Sequence, residues 1–180
     1  MNVAILGATG AVGREMMKIL AERSFPVEEL RLLASPRSAG QKLLWQGREL
    51  TVQPAEDSAF EGMDVVLGAA ENDIAKRFAP AIVKAGAVFV DNSSAFRMDP
   101  NVPLVIPEII ANPNCTTIVS LVAINALNQD SPIQSIIASS YQAVSGAGAG
   151  GPRELMEEVE LLREGKPVHP QVFQYQIAYN

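Results

Sequence analysis

A glycine-spaced turn near the N-terminus constrains the fold of this chain more than any other feature. It reads Gly7-Ala8-Thr9-Gly10-Ala11-Val12-Gly13 and follows a short apolar run, Val3 to Leu6, typical of a strand buried on both faces. Apolar residues then recur at helical spacing from Val12 to Arg23. A plain strand–helix turn would use glycine too, but this motif lies in the strand–turn–helix context that dinucleotide binding requires.

The mechanism behind this motif is electrostatic as well as steric. Glycines permit the tight turn and the close approach of a pyrophosphate, whose charge then rests on the amides and the dipole of the helix N-terminus. We therefore expect cofactor contacts from Gly7, Thr9, Gly10, Ala11, Val12 and Gly13.

The rest of the first half alternates strand-like and helix-like segments. Three more apolar runs have the length of buried strands: Leu30 to Ala34, Met63 to Ala70 and Ala87 to Val90. Asp73 to Ala85 has the pattern of a helix, interrupted or restarted at Pro80. Strands that alternate with helices predict an α/β fold with a parallel, doubly wound sheet, here of the Rossmann type.

The pattern changes after Asn92. Four prolines (Pro100, Pro103, Pro107 and Pro113) indicate an irregular connection. Beyond them the sequence predicts a helix from Thr116 to Asn128, a strand from Ile133 to Ser140, a glycine-rich loop from Ser145 to Gly151, and a helix from Arg153 to Glu164.

The end of the second predicted strand indicates which dinucleotide binds. An NAD-preferring fold places an acidic residue about 20 residues past the glycines, to hold the ribose hydroxyls. Here the sequence is Ala34-Ser35-Pro36-Arg37-Ser38, without a carboxylate. Arg37 could be an ordinary surface residue, but with Ser35 and Ser38 it could hold a 2′-phosphate, so we predict NADP as the cofactor.

Cys115 is the only cysteine, and it stands where a helix is about to begin. A thiolate at a helix N-terminus is stabilised by unpaired amides, which raises its reactivity. Asn114 beside it could cap the helix or donate to a developing oxyanion. A buried structural cysteine is the alternative, but the polar, proline-interrupted surroundings favour a nucleophile.

Composition limits the partners of this chain. Its net charge of −6 and pI of about 4.8 argue against a nucleic-acid binder. It has no uninterrupted apolar run of about 18 residues, so we expect no membrane span. The N-terminus shows no signal peptide, and a lone cysteine fits a reducing compartment, so we expect a cytoplasmic protein.

Taken together, these segments resemble the N-terminal portion of an aspartate-semialdehyde dehydrogenase. The resemblance covers most of the chain in the right order. It is carried by the glycine loop, Ala34 to Gly40, Asp91 to Arg97, Asn112 to Thr116, and Tyr141 to Gly148. N-acetyl-gamma-glutamyl-phosphate reductases share the architecture but typically have glycine before the cysteine, so Asn114 favours the aspartate enzyme.

The resemblance implies NADPH-dependent reductive dephosphorylation of L-aspartyl 4-phosphate to L-aspartate 4-semialdehyde, a step in the synthesis of lysine, threonine and methionine. It makes Cys115 the nucleophile, Arg97 the phosphate ligand and Gln142 the residue that orients the substrate. The family lets its backbone approach the nicotinamide at the loop Ser145 to Gly148. The implied site is therefore catalytic at Cys115, Gln142 and Asn114, substrate-binding at Arg97 and Asn92, and cofactor-binding also at Ser145, Gly146 and Gly148.

The resemblance also implies a domain plan: an NADP-binding Rossmann-type domain over residues 1–114 and the start of an α+β substrate and dimerisation domain over 115–180. A homodimer is expected if the second domain is complete. The family's general acid/base histidine lies beyond the equivalent of this chain, and His169 does not match it. These 180 residues alone are therefore expected to turn over little or no substrate.

Two further departures bear on the site. The join Pro107-Glu108-Ile109 looks shorter than in the family, and Ala69-Ala70-Glu71 replaces a segment that the family often has as Ser-Ala-Gly. A nucleotide-binding or regulatory module without chemistry is the rival interpretation, as is a reductase of the N-acetyl-gamma-glutamyl-phosphate type. Because Cys115 is present, a module would be supported only by the missing part of the chain.

Overall fold

A computed structural model describes residues 1–99, 102 and 109–180. The described strands are β1 (Asn2–Leu6), β2 (Glu29–Ala34), β3 (Lys42–Trp45), β4 (Arg48–Thr51), β5 (Gln53–Pro54), β6 (Val65–Gly68), β7 (Val88–Asp91) and β8 (Ile109–Ala111). The described helices are α1 (Ala11–Glu22), α2 (Asn72–Lys84), α3 (Cys115–Asp130) and α4 (Gly150–Arg163). Contacts divide the chain into two compact units, Met1–Ala126 and Leu127–Asn180.

The first unit is built on a parallel sheet in the order β5-β2-β1-β6-β7-β8. The chain moves outward from β1 to β2 and β5, then returns to the other side of β1 as β6. This reversal places a topological switch point between the carboxyl ends of β1 and β6, which is where open α/β sheets bind ligands. The predicted doubly wound α/β fold is confirmed.

Apolar side chains cover both faces of this sheet, as an all-parallel sheet requires. One face packs against α2 and a 3-10 turn, with Phe60, Phe78 and Phe89 at its centre. The other face packs Val3, Ile5, Leu32 and their neighbours around Met17 of α1. Phe60 and Phe89 are fully buried, and each such side chain contributes about 1.5–3 kcal/mol of hydrophobic free energy.

Helix α2 runs through Pro80 without a break, so the predicted interruption is wrong. A proline inside a helix removes one hydrogen bond and crowds the preceding turn. Pro80 lies on the exposed side of α2, while Phe78, Ala79 and Ile82 are buried against the sheet. Burial of that face stabilises the helix enough to outweigh the missing bond.

A β-hairpin, β3–β4, was not predicted from the sequence. Its two turn residues, Gln46 and Gly47, both have positive φ (46° and 77°), as a two-residue type I′ turn requires. The indole Nε1 of Trp45 donates to the carbonyl oxygen of Met17 at 2.9 Å and ties the hairpin to α1. The turn was not predicted because the usual Asn-Gly or Asp-Gly pair is absent.

Two further sequence expectations need correction, both in the second unit. Ile133 to Ser140 forms no strand, because no strand of this unit, all of whose residues are described, offers a ladder partner. The glycine-rich stretch is not all loop, since α4 begins at Gly150 rather than at Arg153. Glycine is needed there because a Cβ on Gly151 would lie 2.1 Å from the carbonyl oxygen of Val144.

The other predicted helices and buried strands agree with the structure to within a few residues. Two strands of the sheet, β5 and β8, were not predicted. The predicted irregular stretch at Pro100, Pro103 and Pro107 and the shortened join at Glu108 lie outside the described residues. No helix in the described part of the chain is long and apolar enough to cross a membrane.

Two buried glutamates, one helical turn apart on α4, hold the last ten residues of the chain. Glu154 accepts three backbone N–H groups: those of Gln171 (2.7 Å) and Val172 (2.5 Å) on Oε2, and that of Phe173 (2.9 Å) on Oε1. Burial acts to raise the pKa of Glu154, but these three donors outweigh it and the pKa is lowered.

Glu158 uses only one oxygen. Its Oε2 accepts the N–H groups of Ile177 (2.9 Å) and Ala178 (2.8 Å), while Oε1 is buried and has no hydrogen-bond partner in the described structure. The two carboxylates therefore differ in how much of their acceptor capacity the fold uses.

This difference predicts unequal effects of glutamine substitution. Glu154→Gln puts an amide N–H₂ group against a backbone donor, so we expect faster hydrogen exchange at Gln171 to Phe173 and easier unfolding of the second unit. Glu158→Gln keeps one carbonyl oxygen for both donors, so we expect a change within about 1 kcal/mol. Amide exchange and urea unfolding of both variants test this, and equal effects would contradict it.

Glu154 also makes the stability of the second unit depend on pH. Because the native pKa of Glu154 is lowered, its stabilising contribution is complete above the unfolded-state pKa. It is lost as the pH falls through the lowered native pKa. The Glu154→Gln variant should therefore lose this acid-dependent part of the unfolding free energy.

Candidate active site

The glycine loop lies at the switch point and is shaped by backbone contacts. Gly7 has φ of +92°, and a Cβ there would lie 2.6 Å from the carbonyl oxygen of Ala69, just past β6. A Cβ on Gly13 would lie 2.4 Å from the carbonyl oxygen of Gly7 and 2.7 Å from the Cα of Ala8. Both positions therefore require glycine, because any side chain there would collide with the backbone of the turn.

Helix α1 begins at Ala11 in a form that suits an anion. Gly10 precedes it without a side-chain cap, and its first turn carries no acidic residue. The first amides of a helix have no intrahelical partner and carry partial positive charge. Val12 is half exposed and Thr9 half buried. These observations fit an anion such as a dinucleotide pyrophosphate, and the cofactor roles of the loop stay predictions.

The Arg37 turn lies at the same edge of the sheet. The N–H groups of Gly7 and Ala8 both donate to the carbonyl oxygen of Leu33, at 2.8 and 3.1 Å, so the end of β2 abuts the glycine loop. Ser35 and Arg37 are exposed, Ser38 is half buried, and the turn is closed by the Ser38 N–H to the Ser35 carbonyl at 2.9 Å. The side chains are thus available to a ribose phosphate.

The loop after β7 is organised by a fully buried carboxylate. Asp91 accepts the N–H of Ser93 at 3.0 Å and the hydroxyl of Ser93 at 2.6 Å. The Ser93 hydroxyl in turn accepts the N–H of Ala95 at 3.1 Å. A buried carboxylate that is satisfied in this way fixes the backbone of the loop.

Arg97 joins this loop to the segment that follows β8. Its Nε donates to the carbonyl oxygen of Asn112 at 2.9 Å, and its Nη2 donates to the carbonyl oxygen of Asn92 at 2.8 Å. The side-chain nitrogen Nδ2 of Asn112 donates to the side-chain oxygen Oδ1 of Asn92. Arginine has five N–H donors, so at most three remain for a substrate phosphate.

Cys115 is the first residue of α3 and is exposed. Asn114 caps the helix, since its side-chain oxygen accepts the N–H of Thr116 at 2.9 Å and its carbonyl accepts the N–H of Ile118 at 3.0 Å. Asn114 therefore caps α3, and its contact with a developing oxyanion stays a prediction.

The remaining predicted residues lie in the second unit. Gln142 is exposed, and its side-chain nitrogen lies against Gly146, where a Cβ would approach it to 2.4 Å. The N–H of Gly148 donates to the carbonyl oxygen of Ser145 at 3.0 Å, and Gly148 has φ of +73°. This unit therefore brings Gln142 and the loop Ser145 to Gly148 together.

The first unit gathers its own predicted residues at the carboxyl edge of its sheet, because parallel strands all end there. They are the glycine loop, the Arg37 turn, Asn92, Arg97, Asn114 and Cys115. Sequence reasoning missed Asp91 and Asn112 as organising residues, although Asp91 ends β7 and Asn112 directly follows β8. The described residues hold no cluster of three or more His, Cys, Asp or Glu side chains suited to a metal ion.

Comparison with known proteins agrees with this geometry. Residues 2–117 match the family model for the semialdehyde dehydrogenase NAD-binding domain, and residues 124–180 match the model for the semialdehyde dehydrogenase dimerisation domain. The aspartate-semialdehyde dehydrogenase of Synechocystis is 52% identical over 190 aligned positions, which cover 99% of this chain and 56% of that protein.

Solved structures give the same result. The Vibrio cholerae aspartate semialdehyde dehydrogenase II complexed with ASA is 41% identical, with a TM-score of 0.79 over 99% of this chain and 57% of that one. The Candida albicans enzyme with NADP is 26% identical, with a TM-score of 0.60 over 74% of this chain and 48% of that one. The chain thus spans a little over half the length of its curated relatives. The chain belongs to the semialdehyde dehydrogenase family.

Proposed function

We propose that this chain carries the nucleotide site and the nucleophile of an NADP-dependent enzyme. The reaction is the reductive dephosphorylation of L-aspartyl 4-phosphate to L-aspartate 4-semialdehyde. The observation that carries the proposal is the exposed Cys115 at the start of α3, at the same sheet edge as the glycine loop. The aspartate-semialdehyde dehydrogenases that it resembles supply the substrate class.

The chemistry divides one difficult step into two. The Cys115 thiolate attacks the acyl carbon, a C–S bond forms, and phosphate leaves with the electron pair of the broken C–O bond. NADPH, when bound, would supply the hydride that reduces the resulting thioester to a thiohemiacetal oxyanion. Collapse of the thiohemiacetal breaks the C–S bond, releases the aldehyde and regenerates the thiolate.

The other predicted residues support this sequence of steps. Arg97 binds the leaving phosphate with the donors that its two carbonyl contacts leave over. Asn92 lies in the same network as a substrate ligand, and Gln142 orients the substrate. Asn114 keeps the helix start in place behind the thiol, where the first amides also favour a developing negative charge.

The phosphate groups of the nucleotide are held at the switch point of the first unit. Gly7, Thr9, Gly10, Ala11, Val12 and Gly13 receive the pyrophosphate, and Ser35, Arg37 and Ser38 receive the 2′-phosphate. Ser145, Gly146 and Gly148 receive the nicotinamide. Two observations support this assignment: Gly7 and Gly13 leave no room for a Cβ, and a family structure is a complex with NADP.

The wider setting is proposed on the same basis. We assign residues 1–114 to the NADP-binding domain and 115–180 to the first part of a catalytic and dimerisation domain. The match to a dimerisation domain supports a homodimer, and the biosynthetic reaction supports a small-molecule substrate and a cytoplasmic location. We infer neither a nucleic-acid nor a membrane partner.

These 180 residues alone should turn over little substrate, because they span 56% of the length of the Synechocystis relative. The test is to add the remaining C-terminal portion of that relative. The extended chain should form NADPH from L-aspartate 4-semialdehyde, phosphate and NADP⁺, followed at the NADPH absorbance. An extended, folded chain without this activity would contradict the proposal and favour a non-catalytic nucleotide-binding module. Activity on N-acetylglutamate semialdehyde instead would favour the related reductase.

A further inference from the structure

We propose that Asn112 is a positioning residue that, together with Asn92 and Arg97, fixes the backbone leading into Cys115. The inference rests on the proposed role of Cys115 as the nucleophile. It assigns to Arg97 a second task besides phosphate binding.

Asn112 is held by three hydrogen bonds that come from two directions. Its N–H donates to the carbonyl oxygen of Asp91 at 2.8 Å, which extends the β7–β8 pairing by one residue. Its carbonyl accepts Arg97 Nε at 2.9 Å, and its side-chain nitrogen donates to Asn92. Backbone and side chain of Asn112 are therefore fixed together.

The other end of the short segment is fixed by the helix. Asn114 accepts the N–H groups of Thr116 and Ile118, so it is bound to the first turn of α3. Between the two anchored residues stands only Pro113, whose ring fixes φ. Cys115 thus follows a segment with little remaining freedom, although the cysteine itself is exposed.

The partner of Asn112 is itself well supported. The N–H of Asn92 donates to the carbonyl oxygen of Gly68 at 3.2 Å, and its carbonyl accepts Arg97 Nη2 at 2.8 Å. Asn92 also stands next to the fully buried Asp91. The amide pair Asn92–Asn112 therefore connects the segment before Cys115 to the centre of the sheet.

The direction of the amide hydrogen bond gives a matched pair of variants. Asn92→Asp keeps an oxygen to accept the Asn112 amide, whereas Asn112→Asp places two acceptors against each other and loses the bond. Both variants add one negative charge. The measurement is the second-order rate of Cys115 alkylation by iodoacetamide at neutral pH, with far-UV circular dichroism to confirm folding. Because Cys115 is the only cysteine, the signal is specific.

We expect Asn112→Asp to slow alkylation about two- to fivefold, because the thiolate loses its place at the helix N-terminus. Asn92→Asp should stay near the wild-type rate. Arg97→Lys lacks the planar guanidinium that bridges the carbonyls of Asn92 and Asn112, so it should slow alkylation as Asn112→Asp does. It replaces Asn112→Asp as the test variant if Asn112→Asp does not fold. A wild-type alkylation rate in Asn112→Asp would overturn the proposal; if that variant does not fold, a wild-type rate in Arg97→Lys would do so. Equal slowing of Asn112→Asp and Asn92→Asp would also overturn it.

Alkylation requires neither substrate nor NADPH. A failure of the proposed reaction in the activity assay therefore leaves this measurement interpretable. Conversely, unchanged alkylation would remove the positioning role of Asn112 and leave the proposed reaction standing.

Discussion

Replacing Cys115 by serine in the chain extended with the relative's C-terminal portion should lower the rate of NADPH formation by at least about a thousandfold. Serine keeps the size and the helix position, but its hydroxyl is a far weaker nucleophile at neutral pH than a thiolate. Without a thioester intermediate, the reaction can no longer be divided into two steps with lower barriers.

The control for this variant is nucleotide binding. Cys115→Ser should bind NADP⁺ as the unchanged chain does, because no predicted nucleotide contact involves the thiol. Activity of Cys115→Ser within tenfold of wild type would contradict the role of Cys115. Loss of both binding and activity would mean that the substitution disturbed the fold.

Replacing Gly13 by alanine should weaken NADP⁺ binding at least about tenfold and destabilise the first unit by about 1–3 kcal/mol. The added Cβ would lie 2.4 Å from the carbonyl oxygen of Gly7, so the glycine loop must move. Since the pyrophosphate depends on the position of that loop, binding and stability fall together.

Gly10→Ala provides the comparison within the same loop. Its Cβ would lie 3.4 Å from the Gly7 oxygen, and Gly10 has an ordinary negative φ of −74°. We expect its stability loss to stay within about 1 kcal/mol. Calorimetric titration and thermal unfolding of both variants test this, and equal stability of Gly13→Ala and Gly10→Ala would contradict the steric account.

Much of the first unit could be predicted from its sequence because local and global signals agree there. Val3 to Leu6 is apolar without interruption, Gly7 to Gly13 supplies the turn, and the following apolar residues repeat at helical spacing. Each signal arises within about 20 residues, and the parallel sheet follows from their alternation.

The sequence predictions were wrong where tertiary contacts determine the secondary structure. Pro80 stays inside α2 because the buried face outweighs one lost hydrogen bond. Ile133 to Ser140 has strand-like composition, but a strand also needs a neighbour to pair with. Residue patterns describe the preference of a segment and not the presence of its partner.

The candidate site shows the same division. Cys115, Arg97 and the glycine loop could be identified from residue type, position and resemblance. The contact of Arg97 with the Asn112 carbonyl and the amide pair Asn92–Asn112 could not, since they join residues 15 and 20 positions apart in sequence. Such networks depend on which strand ends meet, and only the fold determines that.

The most direct test of the account is a titration of this chain with NADP⁺ and with NAD⁺, followed by calorimetry. We predict saturable binding with a clear preference for NADP⁺ over NAD⁺. In Arg37→Ala the ratio of the two affinities should fall about tenfold, because the variant removes a charged contact to the 2′-phosphate. Tighter binding of NAD⁺, or no binding of either nucleotide to the folded chain, would contradict the assignment of an NADP site to this sheet edge.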